Sequence, residues 1–521
     1  MRVLQRSTMA GAKEWGGDAP RGVSAVFAAL TALLTVLGVG PAASALGAER
    51  PNPPPGRGLD RGRLVAELGR IVANPALRRM RVGVAVRDLV TGETLFEHNA
   101  DDLYATASNN KVITTAAALE LLGPSFQFRT MVSAVGRLRP DGVLEGNLVV
   151  VGRGDPSISG RFHEGDPTAI LDAWVRAVAD AGVRTIRGDL VADDTYFDRQ
   201  HQHPDWPHGQ ELNWYCAPIS ALSYNDNCIQ VIVRGGASGG APAVVAVSPP
   251  TRYVEVANSC TTSRVRRSGN RVLVRRRLGK NAITVGGEIN PGGRPFQTWV
   301  TIEEPALYLA TVFREMLAAK GIAVSGPARL RLPADRFEPA NSRDILTASS
   351  SLRTAIGVAN KNSQNFYAEQ VLKTIGREIG GQGTFAAGAE AVSAFLRQIG
   401  IRGAFTYVDG SGLASTNRFS PSQIVDLLAY MNGRRAGGVY LHSLAEPGCP
   451  GTLERRLQPL KGRLFAKTGY IANVSCLSGY LEGRRGHLLA FSILINGLHG
   501  ALGDAKNTEN EICMRLADYE P

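Results

Sequence analysis

The chain has few of the residues that metal chemistry uses. Six cysteines (Cys216, Cys228, Cys260, Cys449, Cys476 and Cys513) and eight histidines are spread over 521 residues. No Cys-x-x-Cys spacing marks a metal site. His201, His203 and His208 share one loop with Asp205, but its Pro-rich spacing matches no zinc pattern, so no metal is expected. The Gly-x-Ser-x-Gly string at residues 236–240 lies between two β-like runs with no helix after it, so it does not read as the elbow of an α/β-hydrolase. The run "VVVGRGDPS" (149–157) resembles a nucleotide loop, yet Ser157 stands where the third glycine belongs and Asp155-Pro156 makes a poor phosphate cradle. No cofactor is therefore expected. Basic residues form no stripe with interleaved aromatics, which excludes a nucleic-acid partner. After the first 48 residues, no stretch approaches membrane-spanning length.

That N-terminal stretch is distinctive. Arg2, Arg6, Lys13 and Arg21 precede an apolar run from Val23 to Val39, which ends in "GPAASALGA" with small residues at Ala43 and Ala45. This is a signal-peptide pattern (residues 1–48) with a long basic region; an uncleaved anchor is the alternative. Either way the remaining chain is expected outside the cytoplasm, in the periplasm or the cell wall, with peripheral membrane or wall association. The formal charge is +12, which suits an anionic cell envelope. Export permits disulfides, and Cys216 and Cys228 are near enough in sequence for a local loop closure, although pairing cannot be deduced. The densest basic run, "RVRRSGNRVLVRRR" (264–277), reads as a hairpin with an exposed basic face.

Hydrophobic residues make up 44% and charged residues 20%, the balance of a globular chain with material for two to four domains. A Pro-rich linker (49–59) leads to "RGRLVAELGRIVANPAL", a helix, and then to alternating residues around "TGE", a β-hairpin. Residues 60–125 form the first part of one domain. From 126 to 342 short β-like runs dominate, interrupted by two helical patches, and read as inserted α/β subdomains. From 343 to 521 long amphipathic helices return, among them "SLRTAIGVANKNSQNFYAEQVLKTIG", followed by an antiparallel meander around "GRRG". The expected class is α+β: helices flanking an antiparallel sheet, with a large two-subdomain insertion.

Three short motifs occur in an informative order. Ser108-Asn-Asn-Lys111 opens an Ala- and Val-rich helix, Ser363-Gln-Asn365 lies within "NKNSQNFYAEQ", and Lys467-Thr468-Gly469 lies on a strand near the C-terminus. Taken alone, Ser108 is a helix N-cap and Lys111 a solvated first-turn side chain. Together the three match the signature of active-site serine penicillin-recognising enzymes. Positions i and i+3 share a helix face, so Lys111 can reach the Ser108 hydroxyl. A serine becomes a good nucleophile only when a base takes its proton. Lys111 can be that base if its pKa falls by roughly three units from ~10.4, a shift of about 4 kcal/mol that burial and the nearby Lys467 cation would provide. Ser363 would relay a proton, Asn365 would position Lys111 and the substrate amide, and Lys467 with Thr468 would hold a substrate carboxylate. Gly469 would let substrate backbone approach the strand edge. The N–H groups of Ser108 and Tyr470 would form the oxyanion hole.

The sequence resembles the type-4 penicillin-binding proteins, the D-alanyl-D-alanine carboxypeptidases/endopeptidases of the class C low-molecular-mass group, from about Leu64 to Leu516. The strings "ASNNK", "GDLVADDTYF", "YCAPISAL", "NKNSQNFYAE", "DGSGL", "GTLERRL" and "KTGYIANVSCLSGYL" carry the resemblance. So does the 255-residue separation of Ser108 from Ser363, since this family carries two inserted domains there. The resemblance implies a split transpeptidase/β-lactamase-like domain. It also implies cleavage of D-Ala-D-Ala termini or D-Ala-diamino acid cross-links in peptidoglycan stem peptides, and inhibition by β-lactams. Three positions depart from the family pattern. Ala414-Ser415 stand where Ser-Arg usually follows "DGSGL", with Arg418 the nearest basic side chain; Tyr470 stands where Thr or Ser usually follows KTG; and Gln210-Glu211 stand near an acidic position of the insertion. A β-lactamase and a weakly catalytic wall-binding scaffold on the same fold remain open at this point.

Overall fold

The computed structural model describes residues 58–265, 269–335 and 341–521; the expected signal segment and most of the linker lie outside these. A five-stranded antiparallel sheet joins the two ends of the chain. Its order is Leu464–Ile471, Val474–Glu482, Leu488–Asn496, Arg81–Asp88 and Thr94–His98. The hairpin expected around "TGE" supplies the last two strands, and the expected meander supplies the first three. Period-two alternation sets the two faces. Val82, Val84 and Val86, with Phe491, Ile493 and Ile495, face a core shared with the flanking helices Arg61–Val72 and Leu502–Ala517. Between them Gly83 and Ala85 are small, which lets Tyr104 and the helix Pro421–Asn432 pack close on the other face.

That second face carries the helical layer. The helix Asn110–Leu121 is buried at every position from Asn110 to Leu119, as a central helix must be. It packs against Leu352–Lys361 and Asn365–Gly380. The long amphipathic run read from the sequence as one helix is in fact these two. Residues 362–364 break it, and Ser363 adopts a left-handed backbone with φ 57°. Apolar residues continue in helical register on both sides of the break, which hides it from periodicity.

The mid-chain segment leaves and returns through paired strands, Gln127–Leu138 antiparallel to Ser342–Ser351 with Gln127 opposite Ser351. The expected boundary at 342 falls at the start of the returning strand. These strands belong to a seven-stranded sheet covered by the helices Ala169–Asp180 and Pro305–Ala319. Beyond it lie a three-stranded and a four-stranded sheet. The strand Arg271–Arg276 pairs antiparallel with Ala282–Ile289, as the basic hairpin predicts. Its basic face is incomplete, because Arg276 turns inward and pairs with Glu303 while donating to Thr301 Oγ1. All six cysteines are free thiols, so the local closure of Cys216 with Cys228 is not formed. Both are buried, and burial pushes the Cys216 thiol up to about 12. Among the described residues no helix is long and apolar enough to cross a membrane.

Candidate active site

Ser108 lies in a single 3-10 turn, Ala107–Asn109, that feeds directly into the helix Asn110–Leu121. It is therefore not the N-cap that its sequence context offers. The turn is tight enough to hold Ala107 at φ 45°, a left-handed conformation costly for a residue with a Cβ. The turn rests against the C-terminal meander: Asn109 Nδ2 donates to the carbonyl of Lys467 at 3.2 Å. Gly412 of "DGSGL" meets it from the other side, where a Cβ would lie 1.8 Å from the Ala107 carbonyl oxygen.

One turn on from Ser108, Lys111 is fully buried. Its Nζ lies 2.9 Å from Ser108 Oγ, 2.7 Å from Asn365 Oδ1 and 2.8 Å from the carbonyl oxygen of Ser411. Burial lowers its pKa to about 7, against the opposing fields of Glu369 and then Asp409. The amide and carbonyl oxygens can only accept. A neutral amine therefore donates its two hydrogens to them, which leaves its lone pair facing the Ser108 hydroxyl. Asn365 is oriented in turn by donating Nδ2 to the Tyr215 carbonyl of the insertion at 2.9 Å.

A second lysine stands beside the first. Lys467 is also fully buried, and its Nζ donates to Ser363 Oγ at 2.8 Å and to the Thr468 carbonyl at 2.6 Å. Burial lowers its pKa well below the usual range, and Lys111 adds to the effect. Burial is the first cause at both lysines, and the repulsion between them adds to it. The result is a cluster in which Ser108, Ser363 and Thr468 are partly exposed while Lys111, Asn365 and Lys467 are buried. The hydroxyls thus reach solvent while the amines bonded to them are screened from water. Gly469 is buried on the same strand, while the neighbouring Tyr470 side chain is 58% exposed.

Residues 64–519 match the model of the D-Ala-D-Ala carboxypeptidase 3 (S13) family. The chain is 35% identical over 468 residues to the D-alanyl-D-alanine carboxypeptidase of Actinomadura sp. (strain R39), covering 87% of this chain and 84% of that one. The chain belongs to the S13 family. It is accordingly a serine-type D-Ala-D-Ala carboxypeptidase of the penicillin-binding class. A further relative is the D-alanyl-D-alanine carboxypeptidase DacB of Haemophilus influenzae, 25% identical over 436 residues, with 80% of this chain and 85% of that one covered. The crystal structure of penicillin binding protein 4 from Haemophilus influenzae shares the fold, with a TM-score of 0.71 at 22% identity, covering 85% of this chain and 99% of the other. The split sheet-and-helix domain with its insertion is thus the penicillin-binding/β-lactamase-like fold with additional domains.

In this S13 enzyme the three motifs converge, and four further residues support them. Glu369 accepts the N–H groups of Gly410 and Ser411, and Asp409 accepts those of Gly412 and Ala414. Trp206 of the insertion donates its indole N–H to Asp409 Oδ2 at 3.0 Å, and Tyr215 holds Asn365. "NFYAE" and "DGSGL" contain two of these four, but neither string states a role by itself. Of the departing positions, Arg418 turns back to donate to the carbonyls of Ser415 and Asn417. Gln210 accepts the Tyr215 hydroxyl at 2.9 Å, and Glu211 accepts the Gly209 N–H at 2.9 Å.

Proposed function

We propose that the chain is an exported serine DD-peptidase that hydrolyses D-Ala-D-Ala termini, and D-Ala-diamino acid cross-links, of peptidoglycan stem peptides through an acyl-enzyme on Ser108. One observation carries this reading: a fully buried lysine with two obligate acceptors and the Ser108 hydroxyl as its third neighbour. Lys111 Nζ takes the Ser108 proton as Oγ attacks the carbonyl of the penultimate D-Ala. The N–H groups of Ser108 and Tyr470 receive the developing oxyanion. As the C–N bond breaks, the proton passes through Ser363 to the leaving amine, and Ser363 is already hydrogen-bonded to Lys467. Water, deprotonated by Lys111, then hydrolyses the ester and restores the Ser108 hydroxyl.

Lys467 and Thr468 hold the terminal carboxylate of the substrate. Its negative charge restores the proton affinity that burial removes from Lys467. The strand Leu464–Ile471 is at the end of its sheet, so an extended peptide can add along it. A β-lactam carries a carboxylate beside an acyl group and acylates the same serine. The basic, apolar leader supports export, and the positive charge of the chain supports association with an anionic wall or membrane surface.

Fluorescent penicillin tests the reading directly. One covalent label per chain is expected, and Ser108→Ala should abolish it; a wild-type protein that stays unlabelled overturns the acyl-enzyme. Rapid loss of the label points instead to a β-lactamase. Release of free D-Ala, compared with cleavage of cross-linked muropeptide dimers, then measures the two peptidase activities.

A further inference from the structure

Glu369 stands behind Lys111 and takes no part in the reaction written above. Its carboxyl is fully buried, one helical turn beyond Asn365, so both side chains leave the helix on one face. Oε2 accepts the Gly410 N–H at 2.9 Å and Oε1 accepts the Ser411 N–H at 2.7 Å. Asp409 Oδ1 takes the next one, Gly412 N–H, at 2.8 Å. Three consecutive N–H groups are thus pinned by two carboxylates. A trans peptide points each carbonyl opposite its N–H. The Gly410 carbonyl, opposite the Ser411 N–H that Glu369 holds, accepts from Thr114 Oγ1, and the Ser411 carbonyl, opposite the Gly412 N–H that Asp409 holds, meets Lys111 Nζ.

Resting on the reading of Lys111 as the base, we infer that Glu369 is a positioning residue for that base. It holds the loop that presents the Ser411 carbonyl to Lys111, and the field of its carboxylate sets how tightly Lys111 keeps its proton. Two features besides the hydrogen bonds support this. Glu369 is the first of the two carboxylates whose field opposes the effect of burial on Lys111. Burial and then Asp409 raise its own carboxyl, while the Gly410 and Ser411 N–H groups, one on each oxygen, favour the anion.

The charges around it come from every neighbouring element. Lys373 follows one turn on along the same helix, lowered by burial and paired with Asp198 of the insertion at 2.5 Å, with Asp194 also in its field. The Tyr407 hydroxyl is raised by burial and feels both Glu369 and Asp409. On the insertion side, burial lowers His203 against the fields of Asp409 and Asp205. On the strand side, Lys467 is lowered by burial and by Lys111.

The test is the rate of acylation by fluorescent penicillin, measured between about pH 5 and 9. In the wild type the rate should fall as pH drops through about 7, because a protonated Lys111 cannot accept the Ser108 proton. Glu369→Gln removes the anion that favours the ammonium, so this midpoint should move to lower pH. The plateau should drop roughly tenfold, since the amide NH2 of glutamine would meet one of the two loop N–H groups donor to donor. Glu369→Asp keeps the charge on a shorter arm; its midpoint should stay at the wild-type value while its plateau falls. A purely structural residue would lower the plateau and the melting temperature without moving the midpoint. An unmoved midpoint in Glu369→Gln, or a wild-type plateau in Glu369→Asp, overturns the inference. Should Glu369→Gln not fold, Glu369→Asp decides alone. A wild-type profile with no fall near 7 overturns the lysine base itself, and this inference with it.

Discussion

Gly469 lies opposite Cys476 in the ladder of the outer strand. A methyl group built on it would stand 2.9 Å from Asn109 Nδ2, 3.1 Å from the Asn109 backbone nitrogen and 3.1 Å from Cys476 Cβ. The glycine of the KTG motif therefore serves the enzyme's own packing, where the sequence motif suggests room for substrate. It lets the Ser108 turn close onto the strand. Gly469→Ala should displace that turn by a few tenths of an ångström. Acylation should slow by roughly ten- to hundredfold, because reaction rates are steep in the placement of the attacking atom. Global stability should fall by only about 1–3 kcal/mol. Stopped-flow acylation and urea melts check the two separately, and an alanine variant with wild-type acylation would remove Gly469 from the positioning of Ser108. At this scale Ser108, Lys111, Ser363, Asn365 and Lys467 were legible because each motif sets its chemistry within three residues. Glu369, Asp409 and Trp206 were not. Glu369 meets backbone N–H groups 41 and 42 residues away, and Trp206 meets Asp409 across 203 residues.

Between the helices Leu352–Lys361 and Asn365–Gly380, three residues carry no regular structure, and one of them is Ser363. Its positive φ aims Oγ at Lys467 while the second helix begins with Asn365 aimed at Lys111. A non-glycine residue in this conformation costs about 1–2 kcal/mol. The break is thus a strained element kept at a site that needs it. Ser363→Gly should relieve the strain and delete the hydroxyl together. The expected variant melts at or above the wild-type temperature, is still labelled by penicillin, and turns over peptide about a hundredfold more slowly. Unchanged D-Ala release would remove Ser363 from the proton path. The individual helices and the hairpin were legible from periodicity and turn residues. The break was not, because it costs the pattern no apolar position and is revealed only by backbone conformation.

Across the whole molecule, two distant parts of the chain have to meet before any site exists. The strand Arg81–Asp88 lies beside Leu488–Asn496, and this pairing brings Ser108 to Lys467. The insertion that separates the first motif from the others is bound to the same place. Asp198 pairs with the buried Lys373, Tyr215 orients Asn365, and Trp206 reaches Asp409. Composition and motif order could announce an insertion, but its docking rests on a shared apolar cluster and long-range bonds, such as Gln370 to Ser220 and Ser223, that no local pattern encodes. This arrangement makes the insertion part of the catalytic unit, and Trp206 is the place to test it. Its ring is buried against Phe385, with ring centroids 6.0 Å apart. Trp206→Phe keeps an aromatic ring there and removes one hydrogen bond to a buried carboxylate, at a cost of about 1–3 kcal/mol. Loosening Asp409 loosens the Gly412 N–H it holds, and with it the Ser411 carbonyl on Lys111. Acylation should slow roughly tenfold with one label per chain retained, whereas Arg275→Ala, on the exposed sheet of the same insertion, should leave the rate unchanged. Equal rates for both variants would remove the Trp206–Asp409 bond from the placement of the loop behind Lys111, and leave Tyr215 as the insertion's link to the chemistry.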